Sequence, residues 1–333
     1  MNPRRKSLQA LAALAAAAAF PGAARAQAKG PLPRVGVLAA SSRGAASSRS
    51  PAMFMQTALK ELGYVDGENI ELVFRFGLGR METLREAAAE LVRLPVSVIL
   101  AMGPGPTAAA RAATTTIPIV MGNHDAVEQG IVRSLSRPGG NVTGWSFSTE
   151  EVAAKQLELL REAIPRLSRI GLVYNPDSQG AEHGLKAARA AARAQGLATV
   201  QALEVANAEA LEPAFAQAAR AGLEALLVFP EPLVIDDVRP QIAALTARQR
   251  LPAIALWRSY AESGLLMTYG PNLPALVRRM IYLMDRILKG AKPSELPIER
   301  PLQYEFVINE KAANALGLKL PQALLLRATD VVR

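Results

Sequence analysis

Cysteine is absent from the 333-residue chain. That excludes disulfides, thiolate zinc sites, iron–sulfur ligation and a lipid attached to a lipobox cysteine. Histidine is nearly absent: His124 and His183 are the only two, so a His-rich metal site is excluded and general bases are few. Aromatic residues make up 5% of the chain, and no Lys/Arg run after position 26 is longer than two residues. The basic, aromatic-interleaved surface of a nucleic-acid binder is therefore missing. No apolar stretch reaches the roughly 20 residues needed to span a bilayer.

What is present is apolar and patterned. Half of the residues are hydrophobic and 20% are charged, ample for packed cores and incompatible with general disorder. At roughly 150 residues per domain the length suggests about two domains. The N-terminus carries Arg4, Arg5 and Lys6, an apolar run from Leu11 to Phe20, and then Ala24-Arg25-Ala26. This is the order of a secretory signal peptide, with residues 1–26 removed and the product soluble and periplasmic. The Arg4-Arg5 pair leaves Sec and twin-arginine export both open. The leader holds four cations (Arg4, Arg5, Lys6, Arg25) and no acid, so cleavage lowers the net charge from +9 to +5.

Beyond the leader, short Val/Ile/Leu-rich runs alternate with longer helical patterns, the signature of parallel sheets with crossover helices. Strands are expected at 34–40, 70–76, 96–102 and 117–121, with helices near 51–62, 81–94 and 107–115 between them. The order repeats with strands at 169–174, 198–203, 225–229 and 252–256, and helices at 180–195, 208–221 and 234–249. Corresponding strands begin 135 residues apart, Arg34 with Arg169 and Ile117 with Pro252, and Arg34-Val35-Gly36-Val37-Leu38 echoes Arg169-Ile170-Gly171-Leu172-Val173. Further strands at 265–269 and 303–308 and helices at 273–288 and 310–316 complete the pattern. The breaker-rich stretch Arg137–Gly144 and the Pro-containing Gly290–Pro293 read as joints. The expected fold is α/β: two doubly wound parallel-sheet lobes joined by three crossover connectors. The first lobe takes 31–143 plus about 258–290, and the second takes 144–257 plus about 291–333.

Several segments together resemble the substrate-binding proteins of ABC transporters, in the branch that includes tryptophan and other aromatic-amino-acid import receptors. They are Leu62-Gly63-Tyr64-Val65-Asp66-Gly67-Glu68-Asn69, Ala113–Val120, Arg137-Pro138-Gly139-Gly140-Asn141-Val142-Thr143-Gly144, Gly264–Gly270, Ile287–Pro293 and Ala315–Leu318. The resemblance implies a type I periplasmic binding-protein fold that delivers a small solute to a membrane permease. Where the family commonly has Gly-x-Asp-Pro, this chain has Gly122-Asn123-His124-Asp125-Ala126-Val127.

In open α/β sheets, ligands bind beyond the carboxyl ends of the strands, so the loops there supply the candidates. Ser41 and Ser42 follow the first strand and offer hydroxyls in a loop that is otherwise solvated. Gly105 and Thr107 open a helix whose N-cap is expected at Pro106 or Thr107, where free N–H groups suit a carboxylate; turn-and-cap chemistry explains the same residues. Gly103-x-Gly105-x-x-Ala108 also imitates a dinucleotide fingerprint, but Pro104 and Pro106 remove donors that a phosphate needs. Asn123 and Asp125 come next. Asp125 either pairs with a ligand ammonium or caps a helix over 126–134, whereas His124 reads as a satisfied surface or cap histidine. In the second half, Asn175 lies in Asn-Pro-Asp turn chemistry, and Glu231 offers a second acid. Arg258 suits a bidentate carboxylate grip or an interlobe salt bridge, and Tyr260 an aromatic wall or hinge packing. Tyr269 ends a late strand before Gly270, and Trp145 at the first joint is hinge packing or a stacking surface for an aromatic solute.

No G-x-S-x-G, H-E-x-x-H, Walker A or supported S-x-x-K pattern is present. The reading is a monomeric, cofactor-free receptor that captures an amino-acid-like or aromatic solute and docks an ABC permease. A sensory receptor that docks a membrane kinase is the alternative, and an exported α/β enzyme a weaker one.

Overall fold

The run Arg34–Ala39 forms strand β1 with its four central residues buried, the pattern of a parallel strand covered on both faces. In the computed structural model, residues 31–40, 51–178, 180–229 and 238–333 are described. The expected leader, Ser41, Ser42 and Glu231 lie outside the described residues. Among the described residues no helix is long and apolar enough to cross a membrane.

The first sheet is built from β1, β2 (Glu71–Phe76), β3 (Val98–Met102), β4 (Ile119–His124) and β5 (Val142–Phe147), all parallel, in the order β2-β1-β3-β4-β5. Alternation along β1 sends Val35 and Val37 to one face and Leu38 to the other. Helix α1 (Pro51–Glu61) covers the first face; α2 (Met81–Arg93) and α3 (Pro104–Ala113) cover the second.

The chain then crosses to the second sheet through α4 (Thr149–Ala163). This sheet contains β6 (Arg169–Tyr174), β7 (Thr199–Glu204), β8 (Ala225–Val228), β9 (Ala253–Ala255), β10 (Met267–Pro271), β11 (Tyr304–Asn309) and β12 (Asp330–Val332). Their order is β12-β11-β10-β9-β8-β6-β7, with only the β10–β11 pair antiparallel. Helices α4 and α5 (Ala181–Ala194) pack on one face; α6 (Leu211–Arg220), α7 (Arg239–Gln249) and α8 (Arg258–Glu262) pack on the other. The central orders β2-β1-β3-β4 and β7-β6-β8-β9 are the same, so the repeat read in the sequence is a repeat of topology.

Helix α9 (Leu273–Leu288) returns to the first sheet. Its N-cap Asn272 accepts from the Ala275 N–H, and Leu276, Val277, Met280, Ile281, Leu283, Met284 and Ile287 join the core that holds Val35, Leu100 and Trp145. Two short helices, α10 (Glu310–Ala315) and α11 (Gln322–Arg327), precede β12. The polypeptide thus passes between the sheets three times, after Phe147, after Pro271 and between Arg300 and Tyr304.

The expected lobe boundaries need three corrections. The first lobe does not end at 143, because 142–147 is strand β5. Its turn-like composition hides a strand whose Gly144 holds φ +141° while packing against the Met121 backbone. Residues 258–271 belong to the second sheet rather than the first, since β10 pairs with β9 and β11. Residues 291–299 stay with the first: the Glu299 N–H donates to the Gly144 carbonyl and the Ser146 N–H to the Glu299 carbonyl, both at 2.9 Å. The Pro293 corner is therefore internal to the first lobe. Helix α4 was not anticipated, although Ser148 caps it by accepting from the Glu151 N–H, with Glu150 and Glu151 in its first turn.

Candidate functional site

The carboxyl ends of strands from both sheets meet. From the first sheet come Gly103-Pro104 after β3 and His124-Asp125 at the end of β4; from the second come Gly180 and α5 after β6, and Phe229 after β8. A Cβ built on Gly180 would stand 2.7 Å from His124 Cε1 and 3.8 Å from Pro104 Cγ. The His124 ring meets Phe229 edge-on, with centroids 5.8 Å apart, and lies 5.8 Å from the Phe147 ring. His183 Nε2 reaches Asp125 Oδ2 at 3.2 Å from α5. Beside these contacts lies a cavity of about 20 Å³, lined by Phe147, Thr149, Gly184 and Phe229 among others, which is room for one water-sized molecule.

Asp125 organises the first-sheet rim. Its φ is +48°; its N–H donates to the Phe147 carbonyl, and its carbonyl accepts from the Gln129 N–H, both at 2.8 Å. Residues 126–134 form turns rather than the helix considered for them, so Asp125 is no helix cap. Oδ1 accepts from the Thr149 N–H at 2.9 Å, and Oδ2 lies 3.1 Å from His124 Nδ1. Burial alone raises the Asp125 carboxyl, but hydrogen bonds from His124 and Thr149 outweigh it and hold the group below the usual carboxylate range. Both oxygens are thus already contacted by groups of the chain. His124, expected at the surface, is 4% exposed. Its Nδ1 also lies 3.1 Å from Thr149 Oγ1 and from Gln129 Nε2. Its Nε2 has no hydrogen-bond partner.

The other candidates fall in different settings. Gly105 and Thr107 are buried in the first turn of α3, whose N-cap is Gly103 rather than Pro106 or Thr107. The Thr107 hydroxyl donates to the Gly103 carbonyl at 2.8 Å and its N–H bonds the same oxygen, so it is spent within its own turn. Asn123 is buried; its Oδ1 accepts from the His124 N–H while Nδ2 has no partner. Trp145 sits in the first-sheet core, stacked 6.4 Å from Phe147, because β5 carries it inward rather than leaving it at a joint. Asn175 Oδ1 accepts from the Asp177 N–H at 3.0 Å, an Asx turn. Tyr269 is stacked on Tyr304, with centroids 5.6 Å apart, beside the second and third crossings.

Arg258 and Tyr260 are corrected most clearly. Arg258 Nε donates to Glu262 Oε1 at 2.8 Å and its Nη2 pairs with Asp330 on β12. Both acids belong to the second sheet's lobe, so the salt bridges of Arg258 lie within that lobe rather than between the two. Tyr260 is fully buried in the core beneath α7.

Sequence reasoning passed over Arg239. It opens α7 beside the β9 rim, donates from Nη1 to Ser259 Oγ at 3.0 Å and lies 5.5 Å over the Tyr260 ring. Its Nε is buried without a partner, and among the described residues no carboxylate pairs with it. The expected helix start at Val234 had placed it inside a helix, where a cation reads as solvated surface. The missed signal was Pro240 at the second helical position, which marks a helix start near Arg239.

Residues 48–332 match the family model described as ABC transporter substrate binding protein. A tyrosine-binding protein of Clostridioides difficile is 28% identical over 263 residues, 79% of this chain and 75% of that one. Among solved structures, an ABC domain in complex with L-Trp from Streptococcus pneumoniae aligns with a TM-score of 0.82 at 24% identity, covering 91% of this chain and 100% of that one. A leucine-binding protein from Thermotoga maritima aligns with a TM-score of 0.60 at 14% identity, over 78% of this chain and 83% of that one.

Proposed function

The chain belongs to the ABC transporter substrate-binding protein family, and from that premise we propose that it captures a small amino-acid-like solute between its two strand-end rims. The family is one of solute receptors rather than of enzymes. The observation that carries the proposal is the meeting of His124 and Asp125 with Gly180, His183 and Phe229 from the opposite sheet. Two sheets joined by three crossings can part and close by hinge motion. The water-sized cavity implies that a solute enters with the rims apart and is retained as they approach. A ligand that touches both sides favours closure through its differential contacts, without chemistry.

The partnerless N–H of Arg239 and the Asn123 amide are the proposed seats for a carboxylate. Glu231, outside the described residues, is the proposed partner of an amine, because Asp125 is already committed. The tyrosine and tryptophan named for two relatives make an aromatic amino acid the first solute to try. The proposed setting is the periplasm, with a signal peptide removed after Ala26, a monomeric product and a membrane permease as partner.

Mass spectrometry of the molecule that co-purifies, followed by thermal-shift screening of the amino acids, tests the reading. A ligand at a hundred times its Kd stabilises the fold by about 2.7 kcal/mol and should be recovered unaltered. Recovery of a chemically changed product, or no shift with any amino acid, overturns it.

A further inference from the structure

The chain has only two histidines, and both contact one carboxylate oxygen, Asp125 Oδ2. His124 approaches at 3.1 Å from the same strand end, and His183 at 3.2 Å from α5 on the opposite sheet. We propose that His183 and Asp125 form a proton-gated latch between the rims, so that the closed arrangement strengthens when His183 takes up a proton. This rests on the reading above that the two rims part and close.

The geometry makes one side of the latch buried and fixed and leaves the other open to solvent. The Asp125 side chain is 4% exposed, and its second oxygen is held by the Thr149 N–H. The His124 ring is locked by Thr149, Gln129 and the Phe229 edge. The His183 side chain is 32% exposed, so it exchanges protons with solvent while its Nε2 faces the seam. Around Asp125, β4 contributes His124, the following turn Gln129, α4 Thr149, and α5 His183; the end of β8 brings Phe229 against the His124 ring. Among the described residues no Lys or Arg pairs with Asp125, and the two imidazoles are the basic groups that contact it there.

A neutral His183 leaves at most an ordinary hydrogen bond across the seam. An imidazolium there makes a charge-assisted pair with a carboxylate shielded from water. Parting the rims hydrates both groups and gives up that pair. Proton uptake and closure therefore favour each other reciprocally. Closure is favoured at the acid side of the imidazole range, about pH 5–8, and weakens as pH rises through it. Asp125 stays charged across that window, since its chain hydrogen bonds hold the carboxyl low.

Small-angle scattering of the ligand-free full chain between pH 5.5 and 8, paired with NMR titration of the two imidazoles, tests the latch. The closed-to-open ratio is expected to fall on the order of tenfold, with its midpoint at that of the His183 resonance. His183→Gln should flatten the profile, and His183→Arg, permanently charged, should hold the rims together at pH 8. A flat wild-type profile, or the wild-type slope in His183→Gln, overturns the latch. Ligand thermal shifts at one fixed pH are read separately. Amino-acid binding with pH-independent closure removes the latch alone, and pH-gated closure without amino-acid binding removes the ligand class alone.

Discussion

Gly180 lies directly against the His124 ring, so close that a methyl group on it would overlap Cε1 and Nε2 at 2.7 and 2.8 Å. The two residues belong to different sheets, and neither has slack. Gly180 is the N-cap of α5, and His124 is buried among Asp125, Thr149 and Gln129. Gly180→Ala is therefore expected to hold the rims apart. The variant should remain folded, show a larger radius of gyration by scattering, and lose most of the ligand-induced rise in Tm.

Arg239 and Arg258 are expected to separate binding from stability. Arg239→Gln removes a cation whose Nε is buried without a hydrogen-bond partner among the described residues, and the thermal shift given by the ligand should need at least tenfold more ligand. Arg258→Ala breaks one ion pair within α8, to Glu262, and one that fastens α8 to β12, to Asp330. It should cost about 1 kcal/mol of stability, measured by urea unfolding, and leave the ligand shift intact.

Asp125→Asn is expected to act through pH. The carboxyl is depressed in the folded chain, so its contribution is present above the ordinary Asp value of about 3.9 and disappears as pH falls through the lower folded value. The variant should be less stable than the wild type by about 1–3 kcal/mol at pH 7. Urea unfolding repeated near pH 2 should show the gap narrowing.

Gly144→Ala is expected to be the most damaging single change to the first sheet. A Cβ there would sit 1.9 Å from the Met121 carbonyl oxygen at φ +141°, in the middle of the β4–β5 ladder. The loss should exceed about 3 kcal/mol and show as insoluble expression or a cooperative transition at much lower temperature.

Local pattern made most of the scaffold readable. The strand runs at Arg34 and Arg169 and the helix over 273–288 carry their own periodicity, because each buries an apolar stripe of its own. Strand β5 was hidden for a physical reason: Gly139, Gly140 and Gly144 are turn formers by composition, and only the approach of Met121 explains Gly144 inside a ladder. The cap Ser148 and the acids after it were enough to announce α4.

The site was less legible because its partners are remote in sequence. Arg258 and Asp330 are 72 residues apart, and nothing near Arg258 says that its charge is already matched. The partners of Asp125 were hidden for the same reason, since Thr149 and His183 come from beyond the next strand. Pairing across such distances is decided by topology, which composition does not carry.

The return of α9 to the first sheet has a consequence for biosynthesis. The face formed by Val35, Leu100, Val120 and Trp145 is completed by side chains from Leu276 to Ile287. The half that leaves the ribosome first is therefore finished nearly last, and a nascent chain stopped before position 273 keeps a broad oily wall uncovered.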